Sequence, residues 1–378
     1  DEFEEESGIE VRVEGTPDSQ AYVSKMLLSH VAGTAPDIMR LDASSSAIFM
    51  NNGVLEDLAP WVESDPDFDL NDYYPNVVDV ARRGDSLYAL PMGFTPMVLY
   101  YNKRLFDEAG VEYPGTNWTY EDFLNAALAL TSEEVYGFEF SNWMPMWILF
   151  LWNNGGDVVS NDLKASGTFN SPENVEAVQF LHDLVHKHQV SPSLSETAAL
   201  GVDLFATNRA AMKIVGHWAL VGFLSNDEFD IHDVGIAPVP TNLDSSVTVQ
   251  YESGLAIMKD SNRKEEAWEL VKHLLSYDVQ TRYNSFGIEV CALKQVAEEA
   301  GDPVVSKSLG RVVPAHLEQV FAQIVPSARA PWGTRVEKWS LVEQIGQKMM
   351  DRVLMQGENV ETALREAAIE IDEELARE

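Results

Sequence analysis

Short apolar segments of strand character alternate with amphipathic helical segments along the chain, and this alternation confines it to the α/β class. Strands are expected at 9–14, 37–41, 87–90, 98–102, 211–215, 234–238 and 254–258. The helices carry their own start signals. Thr119-Tyr120-Glu121-Asp122 has the form of a capping box ahead of Phe123, Leu124, Ala127 and Leu128. Ser171-Pro172-Glu173 supplies a cap, a first-turn proline and an acid before the stripe Val175, Val178, Leu181 and Val185. Ala267, Val271, Leu274 and Leu275 make another stripe, and Ala363, Leu364, Ala367, Ile371 and Leu375 a last one. At 378 residues the chain is too long for one ordinary core, so two lobes are expected. Neither an internal repeat nor a low-complexity linker is visible, which suggests lobes joined by chain crossings.

Charge removes one class of partner. Lys and Arg number 26 against 61 Asp and Glu, a formal net charge of -35, and such a surface repels phosphate backbones, so nucleic acid is excluded as a partner. Dispersed acid favours solubility, and an ordinary acidic surface or a salty habitat accounts for it equally well. The richest apolar stretch, Trp147 to Trp152, falls short of the ~18 residues a membrane span needs and ends at Asn153-Asn154-Gly155-Gly156. Cys291 is the single cysteine, which rules out an internal disulfide, and its apolar neighbours Ile288, Val290, Ala292 and Leu293 point to an inert buried thiol. The acidic opening, Asp1 to Glu6 before Gly8, reads as the tail of a helix. Its beginning, a preceding strand and any export signal are expected to lie outside this chain.

A series of local signals then falls in a recognisable order. It runs through Phe3-Glu4-Glu5-Glu6-Ser7-Gly8-Ile9-Glu10-Val11, Gly33-Thr34-Ala35-Pro36-Asp37-Ile38 and Asn52-Gly53-Val54-Leu55-Glu56-Asp57-Leu58. It continues through Leu87-Tyr88-Ala89-Leu90-Pro91, Leu99-Tyr100-Tyr101-Asn102-Lys103, Phe106-Asp107-Glu108-Ala109-Gly110 and Trp118-Thr119-Tyr120-Glu121-Asp122-Phe123. Asn154-Gly155-Gly156, Phe205-Ala206-Thr207-Asn208-Arg209-Ala210-Ala211-Met212, Gly216-His217-Trp218 and Val234-Gly235-Ile236-Ala237-Pro238 complete it. Over nearly its whole length the chain resembles the family 1 extracellular solute-binding proteins of ABC importers, the group that includes maltose-binding protein. Near Gly287 it departs from that pattern, with Cys291-Ala292-Leu293-Lys294 where the family often has a proline. The resemblance implies a two-lobed α/β fold of the periplasmic-binding-protein type II, with a ligand cleft between lobes joined by crossing segments. Lobe one would comprise residues 1–105 plus 254–298, and lobe two residues 106–253 plus 299–378. It also implies a monomeric binding component, not an enzyme, that closes by a hinge around a carbohydrate and delivers it to a membrane permease. The setting implied is extracytoplasmic, periplasmic or lipid-anchored at the outer face of the cell membrane.

A pyranose offers an apolar face and a rim of hydroxyls, so its site needs aromatic platforms and planar polar groups. Trp218, in Gly216-His217-Trp218 after a strand, is the leading stacking candidate, with a core role as the alternative. Trp143 and Trp147 lie in a segment that the resemblance places at the cleft, although their four-residue spacing also fits one buried helix face. Phe94 and Trp332 are further aromatic candidates. Arg335 could clamp a hydroxyl or carboxylate, and Trp332 and Arg335 are expected among the late helices of lobe two. Asp42, Ser44 and Ser45 follow the strand 37–41, where they could hydrogen-bond ligand or cap a helix. Glu252, with Tyr251 beside it, could accept from a sugar hydroxyl at the return crossing between lobes.

Other patterns are set aside. His182, His186 and His188 recur on one helix without an HExxH arrangement or an obvious third ligand, so a solvated helix face is expected. Asp65, Asp67, Asp69 and Asn71 open like a calcium loop, but Leu70 stands at the glycine position and Asn76 at the bidentate acid. No phosphate-cradling glycine loop, nucleophile elbow or dinucleotide fingerprint occurs, so catalytic residues, cofactor and metal are not expected. Two rival readings remain: the same fold holding a polyamine through acids and aromatics, and, more remotely, a carbohydrate-active enzyme.

Overall fold

The computed structural model describes residues 2–16, 19–224, 226, 229–300, 314–324 and 327–377. The chain forms two compact units. The first comprises Asp1–Phe94, Tyr251–Ala300 and Ala330–Trp339, and the second Thr95–Gln250, Gly301–Arg329 and Ser340–Glu378. These bounds differ from those read in the sequence. Residues 95–105 belong to the second unit, while 251–253, 299–300 and 330–339 belong to the first. The chain changes unit inside two long strands, Leu90–Asn102 and Thr248–Ile257, rather than at their ends.

In the first unit Ile38–Asp42 runs antiparallel to the late part of Thr248–Ile257, with Ile38 opposite Ile257 and Asp42 opposite Ser253. Gly93 and Phe94 pair with Cys291 and Val290. Glycine is required at 93, because a Cβ there would stand 2.5 Å from the Glu289 side chain. Helices Lys264–Leu274 and Tyr277–Asn284 belong to the same unit. Cys291 is buried, and burial pushes its thiol up to about 12, in keeping with an inert role. The expected strand at 9–14 does not form; Val13 is 89% exposed, and the segment is held by the Val11 amide donating to Glu4 at 2.8 Å.

In the second unit the long strand supplies the centre. Met97–Tyr101 pairs antiparallel with Met212–Gly216, and Leu99–Asn102 pairs antiparallel with Val234–Ala237. A strand bonded on both edges reads as a continuous apolar run, and Met97 to Tyr100 are fully buried. The helix starts form where the sequence places them. Thr119 and Asp122 make a reciprocal capping box, and the Ser171 hydroxyl accepts from the Asn174 amide. The apolar run 147–152 lies in the helix Met144–Trp152, buried along its whole length, which accounts for its composition.

Candidate functional site

Two clusters of candidate residues form, one in each unit. In the second unit Trp143 takes the position just before the helix Met144–Trp152, in extended backbone, and its ring is 45% exposed. Trp218 follows the strand Met212–Gly216 and is half-buried. The two rings meet edge to face, 6.1 Å between centroids. Gly216 explains how Trp218 reaches this place. A Cβ on Gly216 would stand 2.2 Å from the Trp218 ring, so any larger residue would push the indole off the strand end. His217, between them, is buried against Phe321, with ring centroids 4.5 Å apart. Asn142 donates to Asp351 at 2.7 Å and so ties down the segment that carries Trp143.

Trp147 does not join this pair. One helical turn into Met144–Trp152, its ring is fully buried and packs where Gly346 leaves room, with a Cβ there only 3.2 Å away. Among the described residues its indole nitrogen has no hydrogen-bond partner. The four-residue spacing therefore separates a residue at the helix mouth from one in the core, and Trp147 is corrected to a core residue. Phe94 is corrected likewise: it is fully buried and meets Tyr74 edge to face at 5.6 Å.

In the first unit the loop after Ile38–Asp42 and the turn Trp332–Thr334 come together. Gly333 packs so tightly on this loop that a Cβ would fall 1.9 Å from the Ser44 carbonyl oxygen. Asn51 donates to Glu337 at 2.6 Å, and Arg83 donates to the Thr334 carbonyl and, at 2.7 Å, to that of Arg82. These contacts bring 330–339 back to the first unit, so Trp332 and Arg335 do not belong with the helices of the second unit as expected. Trp332 is only 6% exposed, and the exposed Arg335 guanidinium lies over its ring at 5.2 Å. The Asp42 carboxylate is exposed and accepts from both the amide and the hydroxyl of Ser44. Ser45 precedes the helix Ser46–Asn51 without its side chain capping it.

Glu252 has a different part from the one expected. It is 1% exposed, one carboxyl oxygen has no hydrogen-bond partner among the described residues, and its carbonyl accepts from the Ala43 amide at 2.9 Å. Burial, reinforced by Asp42 and Glu289, raises its pKa well above the carboxylate range, with Arg40 offsetting only in part. Glu289 is also raised, by burial against the pull of Arg40 at 3.2 Å, and accepts from Tyr283 and Ser253, each at 2.7 Å. Both carboxyls lie inside the first unit rather than at its surface. Tyr251, beside it, is half-buried. The contact of Arg83 with the turn Trp332–Thr334 is one that the sequence reading missed; its one signal was the Arg82-Arg83 pair in a strongly acidic chain.

The patterns set aside have structural duties. His182 meets Asp183 at 3.0 Å, and a His186 ring nitrogen meets the Leu354 carbonyl at 2.8 Å. Asp65 accepts from the Trp268 indole at 2.8 Å and pairs with Lys272 at 2.9 Å, contacts that hold its carboxyl down at about 2.

The family model for bacterial extracellular solute-binding proteins matches residues 1–281. The chain belongs to this family. Its structure is similar to that of an ABC substrate-binding protein from Listeria monocytogenes in complex with cycloalternan. The two are 26% identical, cover 100% of this chain and 94% of that one, and superpose with a TM-score of 0.84. It is similar to an ABC transporter solute-binding protein from Thermotoga lettingae bound with α-D-tagatose, at 25% identity, 99% and 94% coverage and a TM-score of 0.79. Among curated relatives, an arabinooligosaccharide-binding protein of Halalkalibacterium halodurans is 25% identical over 195 residues, which is 48% of this chain and 40% of that protein. The solute-binding protein described here has the type II periplasmic-binding-protein fold and is a substrate-binding component of ABC transport. Its family is extracellular, and among the described residues no helix is long and apolar enough to cross a membrane.

Proposed function

We propose that this protein binds a carbohydrate or polyol, without transforming it, and hands it to a membrane permease. The observation that carries the reading is the Trp143–Trp218 pair: two indoles held partly open to solvent at a strand end and a helix mouth. Apolar rings left exposed in a fixed edge-to-face arrangement suit the C–H face of a sugar ring, which gains dispersion and loses little hydration on stacking. Ser45 and Arg335 in the first unit supply donors of the kind that hydroxyls need, whereas the Ser44 hydroxyl already donates to Asp42. Hinge closure on binding is the motion that the family resemblance implies. The protein acts as a monomer outside the cytoplasmic membrane.

The polyamine reading keeps one of its acids. Glu252 and Glu289 are buried with raised pKa values, which leaves the exposed Asp42 as the acid of this group open to an ammonium. The test is a thermal-shift screen against sugars, polyols, polyamines and amino acids. A ligand that binds only the folded state adds about 2.7 kcal/mol at a hundredfold excess over its Kd. Stabilisation by a carbohydrate or polyol class is expected, and stabilisation by polyamines alone would replace the carbohydrate while keeping the fold.

A further inference from the structure

The Trp218 ring lies over a bare glycine, which gives it a flat seat and no stop against sliding. A Cβ on Gly216 would stand 2.2 Å from that ring, and the same point lies 2.5 Å from the Cγ2 methyl of Thr95. Methyl and ring edge therefore share the space that the missing Cβ leaves, within reach of apolar contact. The strand register agrees. Met97 pairs with Gly216 and Val98 with Val215. Continued past its last pair, this register sets Thr95 opposite Trp218, on the face that Met97 and Gly216 share.

Thr95 has the properties of a stop. It is 4% exposed, and a β-branched side chain is stiff about its first torsion. Its strand is pinned two residues on, where the Thr248 hydroxyl donates to the Met97 carbonyl at 2.6 Å. Among the described residues the Thr95 hydroxyl makes no hydrogen bond, so the methyl is the part of this side chain with a contact to keep. Trp143 touches the Trp218 ring edge to face but is itself 45% exposed, which leaves the buried threonine as the firmer of the two neighbours. A ring held in place before the ligand arrives loses less freedom on binding than one the ligand must fix.

Resting on the carbohydrate reading above, we propose that Thr95 is a positioning residue for the Trp218 platform, its methyl holding the indole at the tilt on which a sugar face stacks. Thr95 acts on the ligand through the ring. It is also the first residue of the second unit on the strand Leu90–Asn102, so the platform is seated on a strand by which the chain changes unit. The test uses the full chain labelled with 5-fluorotryptophan, the Trp218 fluorine resonance being identified by its loss in Trp218→Phe. Without any ligand, Thr95→Ala and Thr95→Ser should shift or broaden that resonance, and Thr95→Val, which restores the methyl, should return it to the parent position. A Trp218 resonance unmoved in Thr95→Ala would overturn the inference. So would rescue by serine instead of valine, which would assign the work to the hydroxyl. Calorimetric titration with glucose, maltose and sorbitol reads the consequence for binding. For a probe that binds, Thr95→Ser should weaken affinity about three- to tenfold, and Thr95→Val should regain most of it. The Thr95→Ser effect should vanish in a Trp218→Ala background, where no ring remains to be positioned. Equal losses with and without Trp218 would overturn a role through the ring. Failure of all three probes to bind would count against the carbohydrate reading alone, since the ligand-free resonance judges the seat of the ring by itself.

Discussion

In the second unit the candidate residues are two indole rings set edge to face, whereas in the first they are hydroxyls, a carboxylate and two guanidiniums gathered around a tight turn. The aromatic pair depends on local geometry: Gly216 lies two residues before Trp218, and Trp143 stands at the mouth of its own helix. The polar cluster depends on a long-range return of the chain, since Asn51 and Glu337 are 286 positions apart.

The contrast implies different consequences for substitutions in the two regions. The largest effect is expected at Trp147, where Trp147→Ala should lower stability by about 3–5 kcal/mol in denaturant melts and leave ligand affinity nearly unchanged. A matching loss of affinity would return Trp147 to the binding surface. Next comes Gly333→Ala, whose Cβ has no room beside the Ser44 carbonyl; a loss of about 1–3 kcal/mol is expected in the same melts. Trp218→Ala should do the reverse, weakening ligand binding by at least about tenfold while the melting curve hardly moves. Unchanged affinity with lowered stability would make Trp218 a core residue.

The smallest effect concerns the buried acids. In the folded state Glu252 holds its proton above its ordinary value of 4.5, so the folded chain binds more protons than the unfolded one from that pH upward. Its contribution to stability is therefore complete below about 4.5 and is lost as pH rises through the folded value. Glu252→Gln should flatten the fall of Tm on going from mildly acidic to alkaline pH, measured against the parent. An unchanged slope would place the charge balance of the Arg40, Glu289 and Asp42 group elsewhere.

Much of this was open to reading in the sequence because it is local. The alternation of strands and helices, the Thr119 and Ser171 caps and the buried Cys291 depend on neighbours in the chain, and they form as expected. Trp218 was named because it follows a strand in Gly216-His217-Trp218, and Trp143 because the resemblance places its segment at the cleft. Trp147 was misplaced because residues four apart on a helix share a face only when both lie inside it, and Trp143 does not. The strand expected at 9–14 failed because an apolar alternation needs a partner to bond to, which periodicity alone does not supply. The return of 330–339 to the first unit was hidden for a different reason. It rests on a missing Cβ at Gly333 and on side-chain bonds to distant backbone, and no pattern within ten residues records them.

The central claim is that the exposed indole pair of the second unit is the carbohydrate platform. Intrinsic tryptophan fluorescence, titrated with a carbohydrate that stabilises the protein, tests it most directly. The account predicts a saturable spectral change in the parent chain and in Trp147→Phe, and its loss, with weakened binding, in Trp218→Phe. A change that persists undiminished in Trp218→Phe and disappears in Trp147→Phe would contradict it.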